Sequence, residues 1–202
     1  MSEFIFKVVA IGDGGVGKTS ITMQYVYEKF DTKYKATIGV GYAVKKLISG
    51  DNKITLSILD TGGQEMFDYI RPFYYKGASG AIIVFDVTRK KTYDHLERWF
   101  TDLYKNCGRE IPVILVANKI DLADERVIST AEGESYALQK DVSFYETSAK
   151  TGQNVVDVMA ELANLILLEK KKARVVPETK PIKLLKKKKI GGSRLWRRIA
   201  KK

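Results

Sequence analysis

The sequence predicts an α/β protein, a mostly parallel sheet covered by helices on both faces. Three observations carry that expectation. Short β-branched apolar runs recur along the chain. Amphipathic stretches of helical length separate them. A glycine-rich loop joins the first run to the first helical stretch. The runs are "FIFKVVAI" (Phe4–Ile11), "AIIVFDV" (Ala81–Val87), "IPVILVAN" (Ile111–Asn118) and "VSFYETSA" (Val142–Ala149). Near-continuous apolar strands of this kind are buried on both faces. Thr92–Cys107 and Ala131–Lys140 read as helices between them, and strands alternating with helices imply βαβ units. "YAVKKLI" and "KITLSILD" flank the turn-rich "SGDN" (Ser49–Asn52) and predict an antiparallel hairpin at one sheet edge. A last helix is expected from about Gln153 to Lys172, with Val155, Val158, Met159, Leu162, Leu165 and Ile166 on one face. Pro177 and Pro181 follow, so the domain boundary falls near Lys172.

"GDGGVGKT" (Gly12–Thr19) follows the first strand and opens the stretch "KTSITMQYVYEKF". It matches G-x-x-x-x-G-K-[ST] in the strand–loop–helix setting that pattern requires. Glycines let the backbone wrap closely around phosphates with N–H groups pointing inward. The helix N-terminus adds positive potential. Lys18 is placed to reach the β- and γ-phosphates, and Thr19 offers a hydroxyl to Mg²⁺.

Base selection points to a second segment. "NKID" (Asn118–Asp121) follows a buried strand, where α/β sheets bind ligands. A carboxylate at Asp121 accepts hydrogen bonds from both N1–H and the 2-amino group of guanine, a donor pair that adenine lacks. The Lys119 stem is placed to lie over the base. In "TSAK" (Thr147–Lys150) the backbone N–H of Ala149 is placed to meet guanine O6.

These motifs, in this order, make the chain resemble a Ras-superfamily small GTPase, nearest the Rab branch, over residues 5 to about 170. The resemblance implies a three-layer P-loop GTPase fold. Its sheet would have six strands, mostly parallel with one antiparallel edge strand, and about five helices would cover it. It implies a G domain over 1–172 that binds GTP or GDP with Mg²⁺ and hydrolyses GTP. Gly14, Gly15, Val16, Gly17, Lys18, Thr19 and Ser20 would line the phosphates, and Asn118, Lys119, Asp121, Ser148, Ala149 and Lys150 the base. "KYKATIGVGYAV" (Lys33–Val44) would be the first switch and "LDTGGQEMFDYI" (Leu59–Ile70) the second. Thr37 would bind Mg²⁺ and sense the γ-phosphate. Tyr34 would close over the phosphates, and Phe30 would pack against guanine. Asp60 would hold Mg²⁺ through water, the Gly63 N–H would contact the γ-phosphate, and Gln64 would orient the attacking water. Gly62 stands where the family usually has alanine, and Gly41 where Rab-like chains tend to carry an acid. Effectors, an exchange factor and a GTPase-activating protein would act through the switches on a monomer.

Phosphoryl transfer needs positioning and charge stabilisation more than covalent chemistry. Gln64 aligns water but is a poor base, and no arginine of the body stands at an obvious catalytic position. Slow intrinsic hydrolysis, accelerated by a partner's arginine, is therefore expected. The alternative is a GTP-binding scaffold with negligible hydrolysis, against which Gln64, Thr37 and Lys18 argue. His95 reads as a surface residue of its helix, Trp99 as an anchor on the sheet, Cys107 as partly buried and inert, and Asp124 with Glu125 as a solvated loop.

The net charge is +11, and residues 173–202 account for all of it. They hold 12 of the 35 Lys/Arg and one acid, Glu178, which leaves the body balanced at 23 of each sign. Three roles fit such a tail: reversible binding to anionic membrane, binding to an acidic protein or nucleic acid, and solubilisation. In "SRLWRRIAKK" (Ser193–Lys202), at ~100° per residue, Leu195, Trp196 and Ile199 share one face and Arg194, Arg197, Arg198 and Lys201 the other. Membrane contact through 180–202 is the expectation carried forward, with no specific nucleic acid. The sole cysteine, Cys107, rules out a C-a-a-X prenylation site in this sequence. No basic leader precedes a long apolar run, and no apolar stretch approaches the ~20 residues of a spanning helix. A cytoplasmic protein is expected, peripheral on a membrane's cytoplasmic face if the tail binds there.

Overall fold

The computed structural model describes residues 2–31, 37, 39–62 and 71–175, with Arg71 and residues 173–175 as backbone only. Tyr34, Gly63, Gln64 and the whole 176–202 tail, with its expected amphipathic segment at 193–202, lie outside the described residues.

Strands β1 (Ser2–Ile11), β2 (Val40–Ser49), β3 (Asn52–Thr61), β4 (Gly80–Asp86), β5 (Val113–Asn118) and β6 (Ser143–Thr147) form one sheet in the order β2-β3-β1-β4-β5-β6. Only β2 runs antiparallel, against β3; the other four pairings are parallel. The sheet is thus the six-stranded one expected, with a single antiparallel edge. Ser49 pairs with Asn52, so the hairpin turns on Gly50 and Asp51, and Gly50 has a φ of +55° that suits glycine.

Alternation along the strands divides the core in two. Phe6, Val8 and Ala10 of β1, Ile82 and Val84 of β4, and Ile114 and Val116 of β5 bury one face. They pack with helices α1 (Lys18–Tyr27) and α6 (Val155–Val175). Val9 and Ile11, Ile83 and Phe85, and Leu115 and Ala117 bury the other. They pack with α2 (Arg71–Tyr75), α4 (Leu96–Cys107) and α5 (Thr130–Lys140). The helix expected over Thr92–Cys107 is two segments, α3 (Lys90–Asp94) and α4, divided at His95. α1 stops at Tyr27 because Glu28 turns left-handed, at φ 55°, with its N–H on Gln24 O. Phe30 therefore sits past the helix, 38% exposed. α5 begins with a reciprocal Ser129–Glu132 cap, and α6 continues to Val175, just past the expected boundary. Asp124 and Glu125 lie exposed in a short 3₁₀ turn, Ala123–Glu125, and Cys107 is half-buried with burial pushing its thiol pKa up. Among the described residues no helix is long and apolar enough to cross a membrane.

The parallel strands all point their C-terminal ends the same way. The loops after β1, β4, β5 and β6 therefore converge on one edge, the usual ligand edge of such sheets.

Candidate active site

The loop after β1 owes its shape to glycine at two points. At Gly12 (φ +136°) a Cβ would lie 2.1 Å from Val84 O, and at Gly17 (φ +103°) 2.2 Å from Asn118 Nδ2. No side chain fits either place, so the loop hugs the sheet and turns directly into α1. Lys18 opens that helix, is 5% exposed, and donates to Gly12 O at 2.8 Å and Asp13 O at 2.7 Å. Its ammonium is folded back onto the loop's own backbone.

Thr19 follows, and its hydroxyl joins three distant segments. It donates to Asp60 Oδ2 at 2.5 Å, and it lies 2.8 Å from the hydroxyl of Thr37. Asp60 is 3% exposed. Burial pushes its carboxyl above the usual range, against the Thr19 hydrogen bond and the Lys18 charge, which pull it down. Its other oxygen, Oδ1, is buried with no hydrogen-bond partner among the described residues. An orphaned carboxylate oxygen beside two hydroxyls is a hard-oxygen donor set, and a divalent cation such as Mg²⁺ satisfies it. Thr19, Thr37 and Asp60 thus come together as a fitting metal site. Gly41 faces Asp60 across the β2–β3 ladder, and a Cβ there would lie 3.5 Å from Asp60 Oδ2. An acid at that position would bring like charge toward the donor set, which glycine avoids.

The end of β5 holds the base side together. Asn118, 1% exposed, donates to Val16 O at 2.8 Å. Its Oδ1 accepts from Thr147 Oγ1 at 3.0 Å and from the Ala149 N–H at 3.1 Å. One amide therefore ties the phosphate loop, "NKID" and "TSAK" into a single unit. Lys119 adopts a left-handed backbone, φ 73°, which turns the chain sharply after the strand. Asp121 accepts from Ser148 Oγ at 2.6 Å and faces Lys150 Nζ at 3.9 Å. Ser20 is half-buried on the first turn of α1. Of the expected site residues, Tyr34, Gly63 and Gln64 lie outside the described residues, and Phe30 is exposed in the loop after α1.

Five further residues reach this site. Asp13 occupies a variable position of the loop motif, yet its Oδ1 accepts from Trp99 Nε1 at 2.8 Å and its Oδ2 lies 2.8 Å from His95 Nδ1. Trp99 is the sheet anchor expected of it, 2% exposed, and also a clamp on the loop. His95 is a half-buried partner of Asp13 rather than a free surface residue. Asp86, fully buried at the end of β4, meets Lys119 Nζ at 2.5 Å and Arg89 Nε at 2.9 Å, both on Oδ2. Its Oδ1 accepts from the N–H and hydroxyl of Thr88. Burial pushes the Asp86 carboxyl up, but the Lys119 and Thr88 hydrogen bonds and the Lys119 charge outweigh it, so the net shift is downward. Arg89 then extends to Gly14 O at 3.0 Å. A charged residue closing an otherwise apolar strand at the sheet's ligand edge was the one signal in the sequence that pointed at Asp86.

A phosphate-cradling loop, a magnesium-type donor set and a buried base-side amide on a parallel sheet define a P-loop nucleotide-binding protein. Comparison with known proteins narrows the class. Residues 7–168 match the Ras family. GTP-binding protein ypt3 of Schizosaccharomyces pombe is 38% identical over 168 residues, which span 81% of this chain and 78% of that protein. Ras-related protein RABA4a of Arabidopsis thaliana is 38% identical over 168 residues, 81% of this chain and 74% of its own. Ras-related protein Rab-21 of Mus musculus is 39% identical over 164 residues, with the same two shares. The chain belongs to the Ras family, as a Rab-like small GTPase, a class of enzyme that hydrolyses GTP.

Proposed function

We propose that this protein is a slow GTP/GDP switch whose two states are read by effectors and set by an exchange factor and a GTPase-activating protein. The observation that carries the reading is the Thr19 hydroxyl, which holds both Thr37 of the first switch segment and Asp60 at the start of the second. A γ-phosphate added at this point bears on both segments at once, as a switch requires. The phosphate loop and Ser20 hold the phosphates, and Lys18 offsets their charge. Thr19, Thr37 and Asp60 hold Mg²⁺, which supplies further charge neutralisation on the phosphate oxygens. Asp121, oriented by Ser148, accepts from the guanine edge while Ala149 N–H and Lys150 border the base. Lys119 and Phe30 flank its faces, and Tyr34 and the Gly63 N–H cover the phosphates. Gln64 aligns the attacking water, and with no base stronger than an amide the unassisted rate is expected on the order of 10⁻⁴–10⁻² s⁻¹.

Denaturing the purified protein and identifying the released nucleotide tests the base assignment: GDP or GTP is expected, and ADP or ATP would sink it. Single-turnover hydrolysis tests the chemistry. Gln64→Leu is expected to lower the rate by roughly tenfold or more, because the attacking water loses the amide that orients it. Equal rates for the two proteins would instead favour the scaffold reading.

A role at membranes in trafficking or signalling is part of this reading, and the basic tail is the feature that supports it. The tail is the segment through which this chain would reach an anionic bilayer, reversibly, from the cytoplasmic side. Four successive lysines, Lys186–Lys189, offer roughly 1 kcal/mol each near such a surface, screened by salt. Full-length protein is expected to co-sediment with phosphatidylserine vesicles at low salt and to be released at high salt, whereas a 1–176 truncation stays in the supernatant. Equal pelleting of both would remove the tail from the account.

A further inference from the structure

A phosphate loop works by aiming its N–H groups at the ligand, so its carbonyls need donors of their own, and Lys18 supplies two, to Gly12 O and Asp13 O. The described structure shows where those donors come from. Val16 O is held by Asn118, and Gly17 O by the Ile21 N–H of the helix. Gly14 O is held by Arg89, a residue 75 positions away that belongs to none of the sequence motifs. We infer that Arg89 is a positioning residue for nucleotide retention, a brace that fixes the Gly14 peptide from outside the loop. The inference rests on the proposed reading of Gly12–Thr19 as the phosphate cradle.

Three observations make the brace specific. The guanidinium is anchored before it reaches the loop, because Nε donates to Asp86 Oδ2 at 2.9 Å while another nitrogen donates to Gly14 O at 3.0 Å. Two-point anchoring of a planar fork leaves it little freedom, which a lysine cannot reproduce. The anchor is shared with the base side, since Lys119 Nζ meets the same Asp86 oxygen. Asp86, itself wholly buried, therefore joins a residue of "NKID" to the phosphate loop through Arg89. Finally, the same arm of chain grips the neighbouring loop residue, where His95 and Trp99 hold the Asp13 carboxylate. Successive residues of the loop are thus fixed from one segment, 86–99. Arg89 donates to a backbone carbonyl of the loop, so it acts through the loop's geometry.

The brace can be removed without leaving a buried charge unpaired. In Arg89→Ala, Asp86 keeps Lys119 and both Thr88 donors, so the fold is expected to persist. The test is the release rate of a fluorescent GDP analogue from wild type, Arg89→Ala and Arg89→Lys, each with Mg²⁺. Single-turnover GTP hydrolysis and thermal unfolding of the GDP-bound proteins are measured alongside. Release is expected to quicken about three- to tenfold in Arg89→Ala, the scale of one partly exposed charge-assisted hydrogen bond, a larger change than any in the hydrolysis of bound GTP. Arg89→Lys is expected to release nearly as fast, because one ammonium cannot hold both partners. Unchanged release in both variants would overturn the inference. So would slower hydrolysis with unchanged release, which would make Arg89 part of the chemistry. A wild-type protein that carried no guanine nucleotide at all would remove the cradle reading, and the brace with it.

Discussion

Asn118→Ala is expected to lower guanine-nucleotide affinity by at least about 100-fold and to destabilise the nucleotide-bound fold. The side chain is 1% exposed and makes three hydrogen bonds, one to the phosphate loop and two to "TSAK". Alanine would leave Val16 O, Thr147 Oγ1 and the Ala149 N–H without it, each in a dry place. A buried polar group that loses its partner costs about 1–3 kcal/mol, so the summed effect exceeds the roughly 2.7 kcal/mol that a 100-fold change in affinity represents. The loss falls on binding as well as on the fold, because Val16 and Ala149 are buried in the core and also belong to the two loops that border the site. Measuring GDP affinity by competition, with urea unfolding at saturating GDP, checks both parts. Affinity within tenfold of wild type would show that the three segments keep their places without the amide.

That coupling also shows which parts of the molecule were legible in the sequence. "GDGGVGKT", "NKID" and "TSAK" each stand within a few consecutive residues at the end of a predictable strand, so their convergence on one sheet edge was legible directly. The hairpin at "SGDN" was legible for the same reason: the turn chemistry is local, and the pairing Ser49↔Asn52 follows from it. The links between those parts were not. Asp13 meets His95 and Trp99 across 82 and 86 positions, and Arg89 meets Gly14 across 75. Nothing in the spacing of Thr92–Cys107 as one amphipathic helix marks its first turns as a wall of the site. The break at His95 divides that stretch and lets His95 and Trp99 together face the loop, and such a break arises from packing that no local propensity records. Helix ends behaved likewise. The apolar period of "KTSITMQYVYEKF" continues to Phe30, but Glu28 closes the helix in a left-handed turn, and Phe30 leaves it.

Asp86→Ala is expected to destabilise the protein by about 3 kcal/mol at neutral pH, the low end for breaking a buried ion pair from one side. The carboxylate is fully buried and serves two cations and two Thr88 donors. Removing it leaves Lys119 and Arg89 facing each other without the charge between them, and frees both the base-side lysine and the Gly14 brace. The pH dependence follows from the direction of the shift. Burial alone would raise the Asp86 carboxyl, but the Lys119 and Thr88 hydrogen bonds bring it below its ordinary value of about 3.8. A folded-state value lower than the unfolded one means that ionised Asp86 contributes stability above the unfolded value. That contribution is lost as pH falls from there through the lower folded value. The gap between wild type and Asp86→Ala in urea unfolding is therefore expected to be full at pH 7 and to narrow below about pH 4. A gap of the same size at pH 3 and pH 7 would show that Asp86 acts through packing and not through its charge. No gap at pH 7 would mean that the two cations find other partners, and that the link between the base side and the phosphate loop runs through Asn118 alone.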